Sequence, residues 1–416
     1  VEQKLGFKCF SAFIEAAAKT VNVIEVAKDA EYKGQMWVDL PGSSEVLAMC
    51  SKPAPKVDTQ GDENGVGSNL VASGGQVRSK QAKYTLDWST IPLTPKLSGF
   101  GLYESMGNPK WVCAPMVEQS ELAFRMLCRR YGTHLCYTPM FHARLFLEDP
   151  IYRQEQFTTC AADRPLVVQF CANDRHIFAA AAQMVCGKCD AVDLNLGCPQ
   201  GIAKRGRYGS FLMDELELVY SVVQEAHERA RVPITCKIRV FEDDSKTLQY
   251  AKCLQDAGAQ VLTVHGRTRE NKGKGATPAD WSIIKKVREH VSIPVIANGN
   301  IYNRHDAARC IQDTGVNGVM SAEWLRRNPA LFSEGDEGRD PFRMALEYLD
   351  LCAEYPCPLS FVRAHIFKFL TDVKGGWQDH PDLREEMQGA KCESRFRELV
   401  TTLQKRSLAP QAAPAG

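Results

Sequence analysis

Between residues 112 and 321 one pattern recurs: a short apolar run, then a segment of helical periodicity. The runs fall at 112–116, 135–138, 165–170, 190–196, 233–239, 260–264, 294–297 and 318–321. A helix is predicted to start near Ser120, and others over 174–186, 212–230, 245–257, 279–290 and 303–313. Strands joined by helices run parallel, and eight such units close on themselves, so the reading is an α/β chain with a (β/α)8 TIM barrel. An open doubly wound sheet rarely needs eight units. No Gly-x-Gly-x-x-Gly follows the first run, so a dinucleotide-binding sheet finds no support.

The barrel domain is assigned to 95–335. Residues 336–407 carry no strand signal; helices are predicted at 341–353, 358–373 and 381–405, making a small C-terminal helical domain. The Ala-, Pro- and Gly-rich 408–416 is a disordered tail. Residues 1–94 form an extension of unknown role. It holds a helix predicted at 10–27, interrupted by Val21-Asn22-Val23, and a linker-like stretch over 41–92 rich in Gly, Ser, Pro, Asp and Lys. The chain begins at Val1, so a targeting signal is neither seen nor excluded.

Net charge is +1, which excludes a bulk polycation; nucleic acid would have to meet a local patch. The 16 cysteines are scattered, several inside apolar runs (Cys113, Cys171, Cys236), as expected of reduced thiols inside a cell. Cytoplasm or nucleus is the expected location, with an organelle left open. Cys186 and Cys189 make a CxxC without a second pair or a His pair nearby, so no metal is expected. No apolar run approaches the ~20 residues of a membrane span, and a monomer is expected.

In such a barrel, side chains at the carboxyl ends of the strands face the active site. The strand ends here offer Ala114-Pro115-Met116, Gln169, Asn195 with Cys198, Lys237 with Arg239, His265-Gly266-Arg267, Asn298-Gly299-Asn300 and Ser321-Ala322-Glu323. Taken singly, each has a plain explanation. Cys198 is a packing thiol, Lys237 a solvated strand residue, His265 a satisfied core histidine, Asn298-Gly299-Asn300 a turn. Their joint placement at one end of seven strands is not what a packed core requires. Small residues after the seventh and eighth runs suit a phosphate, Gln169 suits a heterocycle edge, and Lys237 with His265 suits an electron-rich ring. Flavin mononucleotide (FMN) combines these needs. A metal is the weaker rival, since His265 has no second ligand at metal spacing.

Asn195-Leu196-Gly197-Cys198-Pro199, Cys236-Lys237-Ile238-Arg239, Val264-His265-Gly266-Arg267-Thr268, Asn298-Gly299-Asn300 and Ala114-Pro115-Met116 together resemble the flavin-dependent tRNA-dihydrouridine synthases, over about 95–402. Val168-Gln169-Phe170-Cys171-Ala172-Asn173, Ile202-Ala203-Lys204-Arg205-Gly206 and the stretch 356–365 resemble the eukaryotic branch acting on positions 16 and 17 of the D-loop. The resemblance implies an oxidoreductase that saturates uridine C5=C6 in tRNA, with FMN as cofactor and NADPH or NADH as reductant. It implies Cys198 as the general acid. It implies Ala114, Pro115, Met116, Gln169, Lys237, His265, Asn298, Gly299, Asn300, Ala322 and Glu323 as cofactor contacts. It implies Asn195, Arg239 and Arg267 near the uracil, and Arg363, His365 and Lys368 as the tRNA-facing side of the helical domain. Trp324 stands where such synthases usually carry Gly.

The chemistry is consistent: saturating an unactivated double bond needs hydride on one carbon and a proton on its neighbour, and cysteine thiols ordinarily keep their proton at neutral pH. D-loop bases are partly unpaired, which lowers the cost of turning one out. With net charge of only +1, the expected phosphate contacts are the local cations Lys204, Arg205, Arg207, Arg267, Arg269, Lys272 and Lys274. The alternatives are a flavin reductase of a small molecule, which would need neither the helical domain nor the basic loops, and a non-catalytic RNA-binding barrel, which would need no Cys198.

Overall fold

The computed structural model describes residues 25–28, 36–39, 86, 88 and 96–408, apart from 274 and 336–339. The barrel strands are β1 (Trp111–Cys113), β2 (Leu135–His142), β3 (Leu166–Cys171), β4 (Ala191–Leu196), β5 (Ile234–Arg239), β6 (Leu262–His265), β7 (Val295–Asn298) and β8 (Gly318–Ser321). Each pairs in parallel with the next, and Val319 opposite Trp111 closes the ring between β8 and β1. The strands are rich in Val, Ile and Leu because both faces are covered. Each expected apolar run became one strand.

Four of the barrel helices begin where the sequence supplies a side-chain acceptor. Asp174, Asp243, Asp280 and Asn303 each cap the helix that follows β3, β5, β6 or β7. Helix Arg304–Thr314 stops at Gly315, which takes φ +69°.

The two ends of the barrel differ. At the start of the strands, Leu102, Tyr103 and Met106 from helix Gly99–Ser105 and its C-cap pack against Val112, Leu135, Ala191 and Ile296, forming an apolar plug. The Tyr103 hydroxyl donates to the Pro109 carbonyl at 2.6 Å, and a Cβ on Gly318 would sit 2.6 Å from that hydroxyl. At the other end the interior is polar. Pro139 lies inside β2 and offers no N–H; the register to β3 shifts between Tyr137 and Met140, and the Thr138 hydroxyl accepts the Gln169 N–H at 3.1 Å.

Among the described residues, four helices follow the barrel, Pro341–Glu354, Leu359–Phe369, Pro381–Gly389 and Glu393–Leu408. The single helix expected over 381–405 is two. The Arg363 guanidinium donates to the carbonyls of Met387 and Ala390 (3.1 and 2.7 Å), so it satisfies the carbonyls exposed where the first of them ends. The helix expected at 10–27 lies mostly outside the described residues; its last residues fall in strand Glu25–Lys28, which pairs antiparallel with Met36–Asp39. Among the described residues, no helix is long and apolar enough to cross a membrane.

Candidate active site at the barrel mouth

Cys198 stands just beyond β4, half-buried, and its backbone is held on three sides. Its N–H donates to Asn195 Oδ1 at 2.9 Å. Its carbonyl accepts from the N–H and hydroxyl of Ser210, at 3.1 and 3.0 Å. Gly209, at φ +66°, lies against it: a Cβ there would meet the Cys198 carbonyl at 2.7 Å and its Cβ at 3.0 Å. Only glycine fits both demands. The thiol packs with Cys171, Ala203 and Tyr208. Burial pushes the Cys171 thiol up to about 12, with Cys198 nearby adding to the shift.

Below Cys198 lies a layer of buried polar side chains. Gln169 and Asp193 are fully buried, and Asn195 nearly so. Asp193 Oδ2 accepts from Gln169 Nε2 at 2.8 Å, and its Oδ1 accepts from the Thr235 hydroxyl at 2.7 Å. Gln169 Oε1 accepts from Asn195 Nδ2 at 2.8 Å. Burial pushes the Asp193 carboxyl up to about 6, although the bonds from Gln169 and Thr235 and the charge of Lys237 pull it back. Sequence reading passed over Asp193, yet the period-two rule puts it on the same strand face as Asn195.

Lys237, half-buried on β5, makes no hydrogen bond to the described residues. Burial pulls its ammonium down to about 8, helped by Arg239 and opposed by Asp193 and Cys198. His265 accepts at Nε2 from Arg267, at 3.0 Å, because a guanidinium can only donate. Burial, with the charges of Lys237, Arg239 and Arg267, holds His265 well below its usual pKa. It is therefore neutral, and its proton is on Nδ1. Arg267 also donates to the Thr277 carbonyl and Asn300 Oδ1, both at 2.8 Å. Gly299 and Asn300 turn at φ +110° and +59°; a Cβ on Gly299 would meet that of Ala279 at 2.5 Å. Asn298 Nδ2 donates to the Met320 carbonyl at 2.9 Å, tying β7 to β8. Pro115 and Met116 are half-exposed at the end of β1, next to buried Ala114.

Other expected residues sit differently. Arg239 is buried and bridges loops, donating to the carbonyls of Gly197 (2.8 Å), Thr268 (2.7 Å) and Asn271 (3.0 Å). The Glu323 carboxylate is taken up by Arg326, Arg327 and Lys368, leaving only its backbone for a ligand. No side chain caps the short helix Glu323–Arg327 that starts after Ala322. Trp324 points outward, edge-on to Tyr302 (5.1 Å between centroids), so it does not crowd the loop.

Of the expected tRNA-facing trio, His365 needs correction. His365 is fully buried: its Nε2 meets Glu121 Oε2 at 3.2 Å, and Tyr348 donates to Oε1 at 2.6 Å. Burial pushes the Glu121 carboxyl up, but His365 and Tyr348 outweigh it and hold the carboxyl below its ordinary value. This is the joint between helix Leu122–Arg130 and the C-terminal helices. Arg363 is occupied with the helix end described above, and Lys368 donates to Glu323 at 2.8 Å. Among the loop cations, Arg207 pairs with Glu215, Arg269 with Asp214 and Glu270, and Lys272 donates to the Pro199 carbonyl at 2.7 Å. Lys204 and Arg205 are exposed and make no ion pair among the described residues; Lys274 lies outside them.

The fold and mouth define a parallel (β/α)8 barrel enzyme with a thiol, an unpaired ammonium and a neutral imidazole around one opening. The dihydrouridine synthase (Dus) family profile matches residues 112–407, and the chain belongs to that family. A Rattus norvegicus protein named tRNA-dihydrouridine(16/17) synthase NAD(P)(+)-like is 55% identical over 302 residues, 71% of this chain and 67% of that protein. Its Mus musculus counterpart, also 55% identical, is covered to 62%, so the chain spans about two thirds of the rodent relatives it matches. The Saccharomyces cerevisiae tRNA-dihydrouridine(16/17) synthase is 43% identical over 320 residues, 74% of this chain and 75% of that protein. A Mus musculus tRNA-dihydrouridine(20a/20b) synthase-like protein is less similar, at 37% over 265 residues, 63% of this chain and 80% of that protein.

Proposed function

We propose that the protein reduces the C5=C6 bond of uridine in the tRNA D-loop, at positions 16 and 17, with NADPH or NADH as reductant and FMN as the carrier. The higher identity to the 16/17 relatives than to the 20a/20b relative supports the choice of position. The observation that carries the reading is Cys198, clamped by Asn195, Ser210 and Gly209 at a mouth with an unpaired cation.

The residues fit a flavin. Lys237 is a cation without a bonded partner among the described residues, as an electron-rich ring requires. The neutral His265 holds an N–H at Nδ1 that meets no acceptor among the described residues. The uncapped helix after Ala322 and the Gly299-Asn300 turn suit a phosphate. When bound, FMN supplies a hydride taken from the nicotinamide to uracil C6. Cys198 Sγ gives its proton to C5 from the other side, so the double bond gains one hydride and one proton. Lys237 and Arg239 lie close enough to the thiolate left behind to steady its charge. The Asn195 clamp fixes the thiol without covering it. Lys204 and Arg205 meet tRNA phosphates; reversing both charges weakens tRNA binding and flattens its salt dependence.

The test is nucleoside mass spectrometry on unmodified tRNA incubated with protein, FMN and NADPH. Wild type forms dihydrouridine, and Cys198→Ala slows it about 10²- to 10⁴-fold, the range for loss of a general acid. Flavin bound without any dihydrouridine points instead to a small-molecule reductase. An equally fast Cys198→Ala removes the acid assignment.

A further inference from the structure

We infer that Asp193 is a positioning residue that sets the direction of an amide chain ending on the backbone of Cys198. An ionised carboxylate can only accept. It therefore obliges Gln169 to turn its Nε2 toward Asp193 (2.8 Å) and its Oε1 toward Asn195. Asn195 must then give Nδ2 to Gln169 (2.8 Å), which leaves Oδ1 for the N–H groups of Gly197 (3.1 Å) and Cys198 (2.9 Å). Reverse the first amide and the last acceptor becomes a donor facing two donors. Thr235 gives its proton to the other carboxylate oxygen, so no other side chain competes for the Gln169 end. All four members are buried or nearly so, and among the described residues no ion pair joins Asp193 to a cation. Buried carboxylates without a bonded cation are costly. What this one supplies is a fixed sense to two otherwise reversible amides. The inference rests on Cys198 being the acid, and Asp193 acts only through others.

The test reads thiol chemistry, not turnover. Holoprotein is alkylated with iodoacetamide, and Cys198 is followed by mass spectrometry against the half-buried Cys253 and Cys392. Asp193→Leu removes the acceptor at similar volume. It speeds Cys198 alkylation about fivefold or more, the factor for one lost hydrogen bond, while the two reference thiols keep their rates. Asp193→Asn can offer its oxygen to Gln169 and its amide to Thr235, so it stays within about twofold of wild type. Gln169→Met cuts the chain one link later. It reproduces the Asp193→Leu rate, and the double variant is no faster than either single one. A folded Asp193→Leu with the wild-type Cys198 rate overturns the inference. If that variant does not fold, a wild-type rate in Gln169→Met overturns it. Wild-type dihydrouridine formation is measured in parallel, so failure of the functional reading is seen separately.

Discussion

Asp163 and Asp193 are both fully buried, yet the chain treats their charges in opposite ways. Asp163 receives two guanidiniums side-on: Arg125 at 3.0 and 2.6 Å on one oxygen, Arg129 at 3.1 and 3.0 Å on the other. The same arginines continue to the carbonyls of Ser120, Thr158 and Pro165, so the cluster ties helix Leu122–Arg130 to the segment before β3. Asp193 is bound by an amide and a hydroxyl, with Lys237 nearby but unbonded. The first carboxylate is balanced and holds structure. The second is left dear to ionise, at the base of the mouth. Of the two, the unbalanced one is where we place a positioning role.

Four experiments break or sharpen this contrast. Asp163→Ala strands two buried guanidiniums and should cost about 3–5 kcal/mol, read as a loss in urea midpoint. The effect of Asp193 on stability should run with pH. Its folded pKa is raised from 3.8 to about 6, so the native state holds a proton that the unfolded state has released in that window. Stability therefore falls as pH rises from ~4 to ~6, by about 3 kcal/mol at most. Denaturant titrations across that range should show the fall in wild type and lose it in Asp193→Asn; equal slopes would sink the assignment. Thr235→Val removes one of the two donors to Asp193 and should cost about 1–2 kcal/mol by thermal melting. Lys368→Ala opens a pair on the surface, where Glu323 keeps Arg326 and Arg327, and should change stability by less than about 0.5 kcal/mol.

The barrel was legible because strand runs and helix periods are local signals, and eight of them allow few closures. The broken helix at 381–405 was missed although Gly389 is a local stop signal; the carbonyls freed there are taken up by Arg363, which reaches from another helix. The mouth was legible as a set of residue types at strand ends. Their uses within it were not. Asn195 and Arg239 turn their polar atoms largely inward, which depends on contacts far along the chain. His365 could have been placed correctly: it is three residues after Val362 and four before Phe369, both buried, so it shares their stripe. A motif showed which residues recur together, and helical periodicity showed which way this one faces.

Arg239 has a consequence for anyone altering the molecule. TIM barrels are usually remodelled one loop at a time, because each connection sits on its own strand. Here one guanidinium at the end of β5 holds Gly197 of the preceding loop and Thr268 and Asn271 of the following one. Lys272 adds a second cord, to Pro199. The three connections are thus a single exchangeable cassette. Grafting any one of them from a relative imports a lock without its key, and a working chimera has to carry all three.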